Sequence, residues 1–214
     1  MEKGDIKAII FDLGNVLIDF DHRIAAERIS KFTDKTKQEI FNLFFDSQLT
    51  GLFEEGKISP QDFFLKVKEI LGLKLNYNEF VPIWNEIFFL SDKNLAVYNL
   101  AKSLQRDYKL ATLSNINILH LEYLKKRFPV FDPFHKIITS CELGLRKPHP
   151  LIYQKTLEVL RVSPGEVFYT DDRPQLTQSA KALGIQAVVF INIAQLKRDL
   201  LDSGININPA PLYC

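Results

Sequence analysis

Five short runs of this chain are apolar along their length instead of alternating with polar residues: KAIIF (7–11), YKLATL (108–113), KIIT (136–139), VFYT (167–170) and QAVVF (186–190). Such runs suit strands buried on both faces, as in a parallel sheet. Helical patterns separate the later ones. ILHLEYLKKRF follows the second, PLIYQKTLEVLRV the third and LTQSAKALG the fourth, with Gly184 just past the last helix. Alternating strand and helix predicts an α/β fold with a parallel sheet and crossover helices.

Residues 21–94 break that rhythm. They read as amphipathic helices, RIAAERISKFT, TKQEIFNLFFDSQL, SPQDFFLKVKEIL and NEFVPIWNEIF, with turns expected at Gly51, Gly56 and Gly72. Ser59-Pro60 has the form of a helix N-cap followed by a first-turn proline. The expected division is a core of residues 1–20 and 95–214 and a helical insertion of residues 21–94. The closing NINPAPLYC is expected to be a tail or an edge-packing segment.

The chain is long enough, at 214 residues, for one sizeable domain with an insertion. Twenty-seven basic residues against 26 acidic ones leave a formal charge of +1, which gives no electrostatic case for nucleic acid. Two cysteines, Cys141 and Cys214, are too few for a disulfide framework or a zinc site. No run approaches the roughly 20 apolar residues of a membrane span, and MEKGD has no apolar signal region. A soluble, cytoplasmic protein without nucleic-acid or membrane partners is expected, and its oligomeric state is not legible.

Polar residues collect where the strands end, which is where open parallel sheets bind ligands. The first run ends at Asp12, the second at Ser114-Asn115 and the fourth at Asp171-Asp172, while CELGLRKPHP delivers Lys147 before a helix expected to open at Pro148. Singly, each can be an N-cap or a solvated loop residue. Together they make a coherent set. Asp12 and Asp171 are hard oxygen ligands suited to Mg²⁺. Lys147, the Ser114 hydroxyl and loop N–H groups suit a phosphate dianion, and Asp12 is placed to attack phosphorus.

FDLGNVL, LSN, GLRKPHPLIY and FYTDD stand in the order and context of the four motifs of the haloacid dehalogenase (HAD) superfamily, which nearly the whole chain resembles. FDLGNVLIDFD and the SNxNxxH around His120 resemble a subgroup that includes sugar-1-phosphate phosphatases such as those acting on glucose 1-phosphate. The resemblance implies a Rossmann-like core with an inserted helical cap of the C1 type. It implies Asp12 as nucleophile, Ser114 and Lys147 as phosphate binders, and Gly14, Asn15 and Asn115 at the substrate. Mg²⁺ would be held by Asp12, the Gly14 carbonyl and Asp171, with Asp172 as ligand or support. The implied substrate is a small phosphorylated metabolite.

The first motif departs from the usual Asp-x-Asp, whose second acid protonates the leaving oxygen; Gly14 stands there, and Asn15 follows where glycine is usual. Such an acid is worth about 10²–10⁴-fold in rate. Three readings follow. A phosphatase can manage with an easily departing leaving group, or with Asp19, Asp21 or a cap residue as the acid. A dehalogenase-type hydrolase also lacks the second acid and needs no metal, but then Asp171-Asp172 would crowd Asp12 with like charge. A non-catalytic phosphate binder or regulatory protein is the third.

Secondary expectations concern single residues. His120 reads as a packed first-turn histidine, with substrate contact as the alternative. Trp84, Phe88 and Phe89 read as an aromatic stripe packing the last cap helix. Arg173-Pro174 is unusual after the acid pair, and His149 reads as surface.

Overall fold

The structure, a computed structural model, describes residues 5–207. Seven strands form among the described residues: β1 (Ala8–Phe11), β2 (Asp19–Phe20), β3 (Phe88–Phe89), β4 (Lys109–Ser114), β5 (Lys136–Thr139), β6 (Val167–Asp171) and β7 (Gln186–Val189). Five of them make a parallel sheet in the order β5-β4-β1-β6-β7. The chain leaves the central β1 toward β4 and β5, then returns to β1's other side for β6 and β7. The switch of direction therefore lies at β1, the place where such sheets open a crevice.

Both faces of the sheet are covered, which is why its strands read as apolar throughout. On one face, Ile9, Phe11, Leu110 and Phe168 pack with α6 (Asp92–Leu104), α7 (Ile118–Arg127) and α11 (Ile193–Asp202). On the other, Ala8, Ile10, Ala111, Leu113 and Tyr169 pack with α9 (Pro150–Leu160) and α10 (Pro174–Lys181). A short α8 (Ser140–Leu143) follows β5.

Before α6 come five helices, α1 (His22–Ile29), α2 (Lys37–Asp46), α3 (Gln48–Glu54), α4 (Pro60–Leu71) and α5 (Tyr77–Asn85). They form a helical cap with its own core, whose buried members all fall between Ala25 and Ile87. Local signals set its helix ends. Ser59 caps α4 through the Asp62 N–H with Pro60 in the first turn, and Gly72 closes it in the left-handed region. Trp84 is fully buried at the centre, 4.8 Å from the Phe44 ring and 4.9 Å from Phe63.

The antiparallel ribbon of β2 and β3 joins cap to core, pairing Asp19 with Phe89 and Phe20 with Phe88. Phe88 and Phe89 therefore do not belong to the last cap helix, as their spacing from Trp84 suggested. α5 ends at Asn85, and pairing with β2 takes the next residues into a strand.

Two other local expectations change. Gly51 lies inside α3, where a Cβ would come within 2.6 Å of an Arg146 guanidinium nitrogen, so close packing and not a turn explains the glycine. The helix after Lys147 opens at Pro150, with the exposed His149 as its N-cap accepting from the Leu151 N–H. The end of the C-terminal segment, residues 208–214 with Cys214, lies outside the described residues. Among the described residues no helix is long and apolar enough to cross a membrane.

Candidate active site

β1, β4 and β6 lie side by side, so Asp12, Ser114 and Asp171 meet at their carboxyl ends. Ser114 closes β4, buried and facing the cleft. Ile10 and Asp12 share one face of β1 by the period of two, as Tyr169 and Asp171 share one face of β6. Lys147 reaches into that face from the loop before α9. Its ammonium donates to Asp12 Oδ1 at 2.8 Å, Asp171 Oδ2 at 2.6 Å, the Leu113 carbonyl at 2.8 Å and the Tyr169 hydroxyl at 3.1 Å. The Tyr169 hydroxyl in turn donates to Asp171 Oδ2.

Lys147 is held in place through its backbone. The Asn115 side chain accepts from the Lys147 N–H at 2.8 Å and donates to the Lys147 carbonyl at 2.9 Å. Asn115, expected at the substrate, thus lines the cleft and also fixes the lysine.

Asn15 explains why its position favours glycine, because its φ of 57° is left-handed and asparagine enters that region more readily than most residues. There its amide donates to Asp172 Oδ2 at 2.9 Å. The Arg173 N–H donates to Asp171 Oδ1 at 2.9 Å, while its exposed side chain stands at the cleft mouth.

The electrostatics are those of an acid cluster short of cations. Oxygens of Asp12, Asp171 and Asp172 lie within 4.8 Å of one another. Burial, and then the charge of Asp171, push the Asp12 carboxyl up to about 7 despite Lys147. Burial also raises Asp172, against the hydrogen bond from Asn15. Burial would lower Lys147, but Asp12 and Asp171 outweigh it and hold its ammonium above the usual range. Tyr169 is pushed far up by burial and the same carboxylates, so it stays a donor. Three carboxylates against one ammonium leave two negative charges in a buried place. A small dication that takes carboxylate oxygens fits that deficit, as Mg²⁺ does.

A cleft of about 250 Å³ opens above these groups, lined by Asp12, Ser114, Lys147 and Asp172 from the core and by His22, Phe45 and Glu54 from the cap. A smaller inner pocket of about 60 Å³ continues from it toward Ile87, Phe88 and His120. Glu54 pairs with Arg146 Nε at 2.8 Å across the cap–core seam.

His120 is packed, as its spacing suggested. Its ring stacks on Trp84 at 4.7 Å, its Nε2 lies 2.9 Å from the Trp84 carbonyl and its Nδ1 lies 3.0 Å from the Asn117 amide. Those partners fix the proton on Nε2, and burial lowers the ring's pKa to about 3.

Gly14 has a steric reason of its own. A Cβ there would stand 2.7 Å from Phe20 Cε1. The Phe20 ring thus crowds the position of the family's second acid. Gly14→Ala is expected to cost about 1–3 kcal/mol in denaturant unfolding, with Phe20→Leu in the same chain restoring part of it; no change in the single variant would mean the ring yields freely.

Both acids expected as substitutes have partners of their own. Asp19 accepts from Lys93, Ser91 and Asn94, and against the cost of burial these hold its carboxyl below the usual range. Asp21 caps α1 and pairs with Arg23, and it too is lowered despite some burial.

The family model for haloacid dehalogenase-like hydrolases matches residues 6–184. The chain belongs to the haloacid dehalogenase-like hydrolases. It is 25% identical over 201 residues to D-ribitol-5-phosphate phosphatase of Bacteroides thetaiotaomicron, covering 91% of this chain and 97% of that one. A HAD family enzyme of the same organism, solved with magnesium and inorganic phosphate, superposes with a TM-score of 0.75 at 29% identity over 86% of this chain and 93% of that one. A predicted HAD-like family hydrolase of Porphyromonas gingivalis gives 0.78 at 24% identity over 92% and 98%, a likeness of fold. A Rossmann-like sheet with a helical cap is the HAD arrangement that the motifs implied.

Tyr169 and His22 also line or support the site, and neither stands in the four motifs as a ligand. Tyr169 carried a signal, two residues before Asp171 on the same strand face. His22 carried none, because its place in the cleft depends on the fold of the cap.

Proposed function

We propose that this HAD hydrolase is a Mg²⁺-dependent phosphatase that cleaves small phosphomonoesters through an aspartyl-phosphate on Asp12. The observation that carries this reading is the buried Asp12-Asp171-Asp172 cluster around Lys147. Asp12, Asp171 and Asp172, with the Gly14 carbonyl, are the proposed ligands of Mg²⁺, which when bound neutralises the charge excess and polarises the phosphoryl oxygens. Asp12 Oδ attacks phosphorus as the ester oxygen departs, and water then hydrolyses the acyl phosphate. Lys147, Ser114 and the loop at Asn15 hold the non-bridging oxygens, whose charge grows in the transition state.

A metal-free dehalogenase has no use for that acid cluster, because burial, and then the charge of Asp171, push the Asp12 carboxyl up to about 7 and so work against an ionised nucleophile. The polar wall of His22, Glu54, Arg146 and Asn115 suits a hydroxylated leaving group. The D-ribitol-5-phosphate phosphatase relative supports a sugar or polyol phosphate. The proposed division of labour gives the nucleophile, the metal ligands and the phosphate binders to the core, residues 1–20 and 95–214, and substrate choice to the cap, residues 21–94.

Phosphate release from a panel of sugar and polyol phosphates, with Mg²⁺ and with EDTA, tests the reading. Release is expected with Mg²⁺ and is lost in EDTA. Release that survives chelation would remove the metal from the mechanism. Silence across the panel from folded protein would favour a phosphate binder.

A further inference from the structure

We propose that His22 is the proton donor to the leaving-group oxygen, acting from the cap in place of the acid that Gly14 lacks; this rests on the phosphomonoesterase reading above. His22 is the first residue of α1 and is 9% exposed. It lines the cleft together with Asp12, Ser114 and Lys147, and it also lines the inner pocket. Its ring lies 5.5 Å from the Phe20 ring, which crowds the position of a Gly14 side chain. His22 thus stands beside the space where the missing acid would be. Its Nδ1 is buried with no hydrogen-bond partner, an arrangement that costs stability unless a ligand completes it.

The other titratable groups of the cavity are engaged. His120 faces His22 at 6.3 Å from α7, but both its nitrogens are taken. Glu54 is paired with Arg146. Asp12, Lys147, Asp171 and Asp172 hold one another around the phosphate end. From α2 the Phe45 ring stands 6.0 Å from the His22 ring, and from α5 the Trp84 ring stands 5.9 Å from it. Asp21 next to it in the chain faces Arg23.

The proton balance closes over two steps. As the Asp12 oxygen forms its bond to phosphorus and the P–O bond to the leaving group breaks, the imidazolium proton goes to the departing oxygen. Neutral His22 then takes a proton from the water that attacks the aspartyl-phosphate. Without ligand, burial holds the imidazole neutral, with its pKa lowered to about 4. A bound phosphate dianion favours the charged ring and raises that value, so His22 loads its proton as the substrate arrives.

The test compares two substrates. An alkyl ester such as a polyol phosphate needs a proton on its leaving oxygen, whereas the phenolate of p-nitrophenyl phosphate leaves without one. Because kcat/KM reads only the steps up to departure of the leaving group, and not the later hydrolysis that both substrates share, His22→Gln is expected to lower kcat/KM for the alkyl ester by about 10²-fold, and for p-nitrophenyl phosphate by a factor at least ten times smaller. The wild-type kcat on the alkyl ester is expected to fall as pH rises through the His22 pKa of the complex, and His22→Gln flattens that limb. Equal losses on both substrates, or an unchanged pH limb, would overturn the proposal.

Should the variant not fold, wild-type enzyme alone decides. A rate that depends weakly on leaving-group basicity across substituted phenyl phosphates supports a proton donor, and a steep dependence refutes one. A wild type that hydrolyses neither ester removes the phosphatase reading itself. Activity with equal losses in the variant removes the His22 role alone.

Discussion

Asp12→Asn is expected to abolish phosphate release, by at least about 10⁴-fold, because an amide cannot form the acyl phosphate. The fold is expected to survive. Asp12 is buried beside Asp171, and its carboxyl is already pushed up to about 7, so the ionised form is held against its environment. The amide removes one of three crowded negative charges. Lys147 keeps Asp171 at 2.6 Å and the Leu113 carbonyl at 2.8 Å. Thermal unfolding in EDTA should therefore give a Tm no lower than wild type, while the rise in Tm on adding Mg²⁺ should shrink. Retained turnover would refute the covalent mechanism, and a collapsed Tm would mean that the Asp12 charge is structural.

Lys147→Met is expected to have the opposite balance. The methionine fills the channel but leaves Asp12 and Asp171 without their cation, and removing one partner of a buried charge cluster costs about 3–5 kcal/mol. Denaturant unfolding in EDTA should show that loss, and Mg²⁺ should recover part of it by supplying charge at the same carboxylates. Activity should fall by about 10²–10³-fold even with saturating metal, because a fixed donor at the phosphoryl oxygens is gone. Stability equal to wild type in EDTA would mean that protonation of the acids replaces the lysine without penalty.

Much of this was legible in the residues. The five sheet strands begin and end within a residue of the apolar runs, because burial on both faces leaves little freedom in composition. Asp12, Ser114, Lys147 and Asp171 were readable as a group because parallel strands deliver their ends to one edge.

What was hidden depends on distant partners. The Phe88–Phe89 segment has helical spacing from Trp84 and becomes a strand because β2 offers it a ladder. Asn115 reads as a ligand contact, and its grip on the Lys147 backbone is visible only when β4 meets the loop before α9. Gly14 reads as a lost acid, yet Phe20, six residues on, crowds the position where that acid's side chain would begin.

The β2–β3 ribbon carries a consequence for how such chains diversify. The insertion leaves the core at Phe20 and returns at Phe88, and these two residues are paired neighbours. The two ends of the insertion therefore meet, and a tight turn could join them without disturbing the order of the sheet. Any helical assembly whose ends meet at that spacing can occupy the same socket. The reaction stays with the sheet while the lid above it is exchanged, and a proton donor carried on the lid would be exchanged with it.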